Sequence, residues 1–183
     1  MTCHPIVRPP RYSDRSMLVA AHVANRSFHH PWCAPFTDNE GFNAWWRGVV
    51  AGPKASFIAC DDEGRLIGVV NLTEIVFGCF CSAYLAYHGM REHCGRGLMT
   101  QAVRRVTQIA FDDLGLHRLE ANIQPTNQAS IRLVQRLGFE REGYSRSYLR
   151  IGEEWRDHER WALLADAAQS GASSACAELG SSE

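Results

Sequence analysis

From Leu98 to Ala110, apolar side chains return at three- and four-residue steps, at Leu98, Ala102, Val106, Ile109 and Ala110. That spacing gives a helix one apolar stripe, and a single stripe has to be covered by another layer. The helix is expected to begin near Gly95, in Gly95-Arg96-Gly97, and to end at Leu114-Gly115, where the last glycine suits a C-cap. The flanking segments supply the cover. Ala55 to Cys60 and Leu66 to Phe77 read as strands joined by the turn Asp61-Asp62-Glu63-Gly64, and Cys79 to His88 as a third strand. His117 to Gln124 reads as another strand, and Thr126 starts a helix with Ile131, Val134 and Leu137 on one side and Gly138 at its end. Tyr144 to Ile151 and Trp155 to Leu164 form a hairpin around Gly152-Glu153-Glu154. Ahead of the meander come a short strand at Ile6 to Arg11, a helical pattern from Asp14 to near Pro31, and a helix from Asp38 to Val50. The order predicts an α/β (α+β) domain, a mixed central sheet of about six or seven strands flanked by helices. With 183 residues the chain suits one domain, expected over 1–166, followed by an Ala-, Ser- and Gly-rich tail over 167–183 read as flexible.

Gly95-Arg96-Gly97 lies between a strand ending near His88 and the long helix. Glycines let a backbone approach an anion closely, and the unpaired amides of a first helical turn point outward to meet it. With 15 glycines in the chain a Gly-x-Gly arises by chance about once, so the tripeptide alone reads first as a plain tight turn into a helix. Arg91, Arg96, Arg104 and Arg105 gather in and after this loop on a chain of net charge -1. Arg104 and Arg105 also fit a solvated helix face, so Arg91 and Arg96 carry the case for an anion.

Glu92-His93-Cys94-Gly95-Arg96-Gly97-Leu98-Met99 resembles the coenzyme A pyrophosphate loop of the GNAT superfamily of N-acetyltransferases, commonly Gln/Arg-x-x-Gly-x-Gly/Ala. Asn127-Gln128-Ala129-Ser130, followed by Leu137-Gly138-Phe139, is similar to the superfamily's next segment, and the two occur in the same order. Gly143-Tyr144 and Trp155-Arg156-Asp157-His158 resemble the carboxy-terminal hairpin of its ribosomal-protein-alanine N-acetyltransferases, and His29 to Pro35 their amino-terminal region. The chain departs from the loop pattern at Glu92, whose carboxylate is expected to face solvent while backbone amides do the binding. The resemblance implies a splayed strand pair, Cys79 to His88 and His117 to Gln124, with the pantetheine arm of acetyl-CoA between them. It also implies a backbone N–H near Tyr87 to Gly89 polarising the thioester carbonyl. Coenzyme contacts are thereby expected from Tyr87, His88, Gly95, Arg96, Gly97, Leu98, Met99 and Asn127, with acetyl-CoA as cosubstrate and no metal.

Aminolysis of a thioester needs a neutral amine, a held carbonyl and a proton for the departing thiolate. Glu120 matches in position a glutamate used as general base in some relatives. Alternation also puts it on the face of Arg118 and Asn122, where it is equally an arginine-paired carboxylate. Relatives with a tyrosine acid carry it four residues before the glycine of Leu-Gly-Phe, a place held here by Val134. Ser130 is therefore expected to relay the proton through water, its alternative role being to satisfy the first turn of its helix. Asn127 reads as a contact to the pantetheine arm or an ordered water, or as a plain N-cap. The acceptor groove is expected between residues 28–46 and the 144–155 hairpin, with Trp32, Tyr148 and Trp155 as its candidate aromatics. An α-amino group, with pKa near ~7.7–8, is already roughly one-tenth neutral at pH 7, whereas a lysine near ~10.4 is neutral to less than about 0.1%. A site without a strong base therefore suits a peptide amino terminus. Three functions stand open: acetylation of a ribosomal protein's or similar amino terminus, acetylation of a small amine such as an antibiotic, amino acid or polyamine, and acyl-CoA binding without catalysis.

The near-neutral net charge speaks against direct nucleic-acid binding. Seven cysteines, none in a C-x-x-C pair, read as free thiols of a reducing cytoplasm. Cys79 and Cys81 share one face of any strand they lie on, and a metal there needs further ligands. Met1-Thr2-Cys3-His4-Pro5 lacks the basic-then-apolar pattern of a signal peptide, and no apolar run approaches a membrane span. A cytoplasmic monomer or homodimer without a membrane partner is expected.

Overall fold

Among the described residues, seven strands join into one sheet in the order β1-β2-β3-β4-β5-β7-β6. They are β1 (Ile6–Arg8), β2 (Ala55–Cys60), β3 (Leu66–Val76), β4 (Ser82–Gly89), β5 (Arg118–Ile123), β6 (Glu140–Ile151) and β7 (Glu154–Leu164). The computed structural model describes residues 4–166, so the tail expected over 167–183 lies outside the described residues. Helices α1 (Arg15–Ala24), α2 (Arg26–His29) and α3 (Asn39–Ala51) precede the meander, while α4 (Leu98–Gln108) and α5 (Gln128–Arg136) flank β5 in sequence.

β4 and β5 pair in parallel, and every other neighbouring pair is antiparallel. Their register runs Ser82↔Arg118, Ala83↔Leu119, Tyr84↔Glu120 and goes no further. Beyond that point β4 stays with β3 as far as Gly89, and β5 stays with β7. The two strands thus fork after Tyr84 and Glu120, and the cleft between them positions the site.

Alternation along β4 sends Ala83, Leu85 and Tyr87 to one side, where Val103, Val106 and Ala110 of the α4 segment and Ile131 and Val134 of α5 pack with Leu72, Leu119 and Trp161. On the other side Leu18 of α1 and Phe42 of α3, both fully buried, pack on Ile58, Val69 and Met90. Each such side chain contributes roughly 1.5–3 kcal/mol by leaving water. Close approach sets the height of α4. A Cβ added at Gly68 would collide with Met99 Sδ and the His88 carbonyl, and one at Gly89 would meet Met99 Cγ at 2.8 Å.

Several boundaries differ from the sequence reading, β1 ending at Arg8 and β6 starting already at Glu140, and three differ for local reasons. The strand expected from Cys79 begins at Ser82, because Cys81 turns into the left-handed region at φ 40° and its carbonyl accepts from His117 and Arg118. Cys79 and Cys81 therefore share no strand face. The helical run from Asp14 breaks at Asn25, whose side chain bonds the Ala21 carbonyl and accepts from the Arg91 amide. The long helix opens at Leu98 and widens into a π-helical turn over Ile109–Asp113 before Gly115.

Candidate active site

Gly97 stands as the N-cap of α4 at φ 73°, ψ 0°, a left-handed conformation that disfavours any side chain. Among the described residues no side chain caps this helix, and its first intrahelical bond comes where Gln101 N–H reaches the Gly97 carbonyl at 3.1 Å. Gly95, at φ 74°, and Gly97 have nothing within 4 Å of an added Cβ. This is an open, anion-accepting turn that fits a pyrophosphate. Leu98 is buried and Met99 sits against Gly68 and Gly89, so these two residues offer the turn their amides rather than their side chains. Arg96 is exposed, while the Arg91 guanidinium lies over the Phe28 ring at 5.2 Å. The Glu92 carboxylate is 66% exposed. Burial raises the Cys94 thiol above its ordinary range, and its Sγ lies 3.6 Å from the Met90 carbonyl oxygen.

The fork opens into a cavity of about 410 Å³ whose lining includes Tyr84, Tyr87, Asn122, Asn127, Ser130 and Tyr148. The Ser130 hydroxyl donates to the Tyr87 hydroxyl at 3.0 Å, and Tyr87 donates to the Ser130 carbonyl at 3.3 Å. Burial pushes the Tyr87 hydroxyl up to about 12, so it stays protonated across the neutral range. Asn127 Oδ1 accepts from the Ser130 amide at 3.2 Å; Asn127 thus caps α5 and lines the cavity as well. Glu120 sits at the fork, but its Oε1 accepts from Arg118 Nε at 2.8 Å. Arg118 also holds Glu142, whose bond, together with that of Glu120, raises the guanidinium further.

The rest of the cavity wall comes from distant stretches. Gln124, at the end of β5, donates to the Pro31 carbonyl at 3.0 Å and to the Trp32 carbonyl at 3.4 Å, fixing the 31–36 segment over the cleft. Trp32 and Tyr148 line the cavity, whereas Trp155 is 62% exposed on the hairpin. His158, buried on β7, and Tyr84 line it too, and sequence reasoning missed both. Alternation of Tyr84, Ala86 and His88 along β4 was a usable signal for Tyr84. Nothing local announces Gln124, whose partner Pro31 is 93 residues away.

Three comparisons converge on this architecture. The family model described as acetyltransferase (GNAT) domain matches residues 5–140. The chain is 43% identical over 108 residues to the protein named probable N-acetyltransferase YjcK of Bacillus subtilis (strain 168), a match that covers 59% of each chain. It is 33% identical over 167 residues, 86% of each chain, to the ribosomal protein uS5-alanine N-acetyltransferase of Escherichia coli (strain K12). The crystal structure of a ribosomal-protein-S5-alanine acetyltransferase from Vibrio fischeri superposes with a TM-score of 0.80 at 27% identity, over 89% of this chain and 94% of that one. Among the described residues no helix is long and apolar enough to cross a membrane. The chain therefore belongs to the GNAT acetyltransferase family as an acetyl-CoA-dependent N-acetyltransferase.

Proposed function

We propose that the enzyme passes its acetyl group to the α-amino group of a polypeptide amino terminus. The observation that carries this reading is the pairing of Glu120 with Arg118 at the fork, which leaves the cleft with a neutral Ser130–Tyr87 pair in place of a free carboxylate on β5. A cleft of that kind suits an amine that is already partly neutral, and an α-amino group near ~7.7–8 meets the condition far better than a lysine. Likeness to the uS5-alanine enzyme over most of the chain supports the same substrate class.

In this mechanism the amine nitrogen attacks the thioester carbonyl carbon, with the backbone of β4 near Tyr87 and His88 facing the carbonyl oxygen. The C–S bond breaks, and the thiolate takes a proton through water from the Ser130 hydroxyl, which neutral Tyr87 backs. The surplus proton on nitrogen leaves to solvent, and solvent water returns a proton to the Ser130 oxygen. Gly95 to Met99 hold the pyrophosphate through their amides, with Arg96 beside them, and Asn127 faces the pantetheine arm. The test is thiol release with peptides, free lysine, polyamines and aminoglycosides. For a peptide, kcat/KM is expected to rise with pH through about 7.7–8 and then hold level past pH 10. The plateau follows because Tyr87 keeps its proton until about 12. Turnover of small amines alone overturns the reading.

A small cationic acceptor is the second reading, and Glu74 favours it: this exposed residue on β3 lines the same cavity and offers a carboxylate to an ammonium group.

A further inference from the structure

On the face of β4 turned away from α4, His88 enters a second cavity of about 400 Å³, bounded also by Leu18, His22, Phe36, Trp45 and Asn71. The two cavities share Cys33, Ala86 and Tyr87, so they meet beside the reacting end of the cleft. Among the described residues, no Asp, Glu, Lys or Arg lines the second one.

Its polar groups are oriented in a fixed order. His22 Nδ1 lies 2.9 Å from the Phe36 carbonyl oxygen, which can only accept, so Nδ1 carries the single proton of the neutral ring. His22 Nε2 is then a lone pair, and it takes the Nε2–H of His88 at 3.0 Å. His88 is thereby held as the Nε2–H tautomer with Nδ1 as its lone pair. Asn71 Oδ1 is taken by the Ser56 hydroxyl at 2.7 Å, which leaves the amide N–H groups to donate. Asn71 pairs with Ala86 across the strands and Val69 with His88, so Asn71 and His88 are diagonal neighbours on one sheet face, a spacing of roughly 7–8 Å. A spacing of that size leaves room for a small polar group between two side chains that line one cavity.

The surroundings keep this pair uncharged. Burial pushes His22 down to about 4, and burial with the neighbouring imidazoles holds His88 well below the ordinary histidine range. His29, from α2, packs edge-on to both rings and spends its Nε2–H on the Gly89 carbonyl at 2.9 Å. Burial raises Cys33, from the segment after α2, to about 11, and Tyr87 to about 12. Among the described residues the imidazoles do not gather as metal ligands.

We propose, resting on the amino-terminal reading above, that this second cavity takes the first side chain of the acceptor peptide and prefers a hydroxyl there, which donates to His88 Nδ1 and accepts from the Asn71 amide. His22 is the positioning residue, since its bond to Phe36 decides which nitrogen His88 presents. Serine and threonine satisfy both groups. Alanine and valine leave them to water, and a cationic side chain finds no carboxylate.

Peptides beginning with Thr and Val differ there by hydroxyl against methyl at similar shape, so their ratio of kcat/KM isolates the contact. Two neutral hydrogen bonds favour Thr by about fivefold to a hundredfold, and His88→Leu is expected to bring the ratio to about 1. A ratio near 1 in the unmodified enzyme overturns the proposal, as does a ratio that survives His88→Leu. Imidazole nitrogen NMR of the free protein is expected to show His88 as the Nε2–H tautomer and His22 as the Nδ1–H tautomer; the reverse assignment also overturns it. If peptides are not turned over but a small amine is, the amino-terminal reading falls on its own. The subsite is then judged by binding to the coenzyme-A-loaded protein. A His88 Nδ1 resonance shifted by the Thr peptide and not by the Val peptide supports it, and one that neither peptide moves overturns it.

Discussion

On the α4 side of β4 the groups offered to a ligand are chiefly main-chain amides, set by the Gly97 turn and by the close seating of Met99 over Gly68 and Gly89. On the α1–α3 side they are side chains brought in from α1, the 31–36 segment, β3 and the β6–β7 hairpin. Amides survive any substitution except one that changes the backbone path, whereas side chains are exchanged freely. On the proposed reading the α4 side, holding the coenzyme, is geometrically fixed and the α1–α3 side, holding the acceptor, is chemically adjustable, so that one scaffold keeps its donor and varies its acceptor.

The sharpest way to break that contrast is Gly97→Glu. A side chain at φ 73° strains the turn by about 1–2 kcal/mol, and a carboxylate brings a like charge to the pyrophosphate. Nothing lies within 4 Å of the new Cβ, so the fold is expected to persist. Coenzyme affinity measured by calorimetry should fall more than about a hundredfold. Gly97→Ala carries the backbone strain without the charge and should lose about tenfold, in line with a cost near 1.4 kcal/mol. Unchanged affinity in the Glu variant would mean that the turn does not hold the anion.

The coenzyme side was also the more legible in sequence. Its parts, β4, the glycine turn, α4, β5 and α5, follow one another, so each cue of period, cap and glycine sits beside the element it shapes. Asn127 could be placed at the start of α5 from its residue type, and the structure gives it the cap bond. The facing pair Tyr87 and Ser130 lie 43 residues apart, and His22 and His88 66 apart. No local pattern records which of two mid-strand polar residues meets a partner from another element. Glu120 shows the same limit. Alternation placed it correctly beside Arg118, but whether its carboxylate is free depends on β6, because Arg118 also reaches Glu142.

Ser130→Ala sharpens the comparison from within the cleft, since Ser130 is a side chain on the coenzyme side that is argued to do chemistry. The helix cap is Asn127 Oδ1, which bonds the Ser130 amide and not its hydroxyl, so removing the hydroxyl leaves the cap in place. Turnover is expected to fall about tenfold to a hundredfold, toward the lower range of a general-acid contribution, with coenzyme affinity within about twofold. Tyr87→Phe should show a loss of the same kind. A fall in melting temperature that tracks the fall in rate would instead make the hydroxyl a structural contact.

The smallest expected effect belongs to Glu120→Gln. The Arg118–Glu120 pair is partly exposed, at 24% and 27% side-chain exposure, and such pairs contribute about 0–1 kcal/mol. Arg118 keeps Glu142 when Glu120 is neutralised, and the glutamine oxygen can still accept from Arg118 Nε. Turnover within about threefold of the parent enzyme is therefore expected, with the rise of kcat/KM through about 7.7–8 unchanged because that limb belongs to the acceptor amine. A loss beyond a hundredfold, with the pH profile altered, would give Glu120 the work of the base. The coenzyme side would then owe its chemistry to one carboxylate freed from Arg118 when substrate enters the fork, and the division between fixed amides and adjustable side chains would not hold at Glu120.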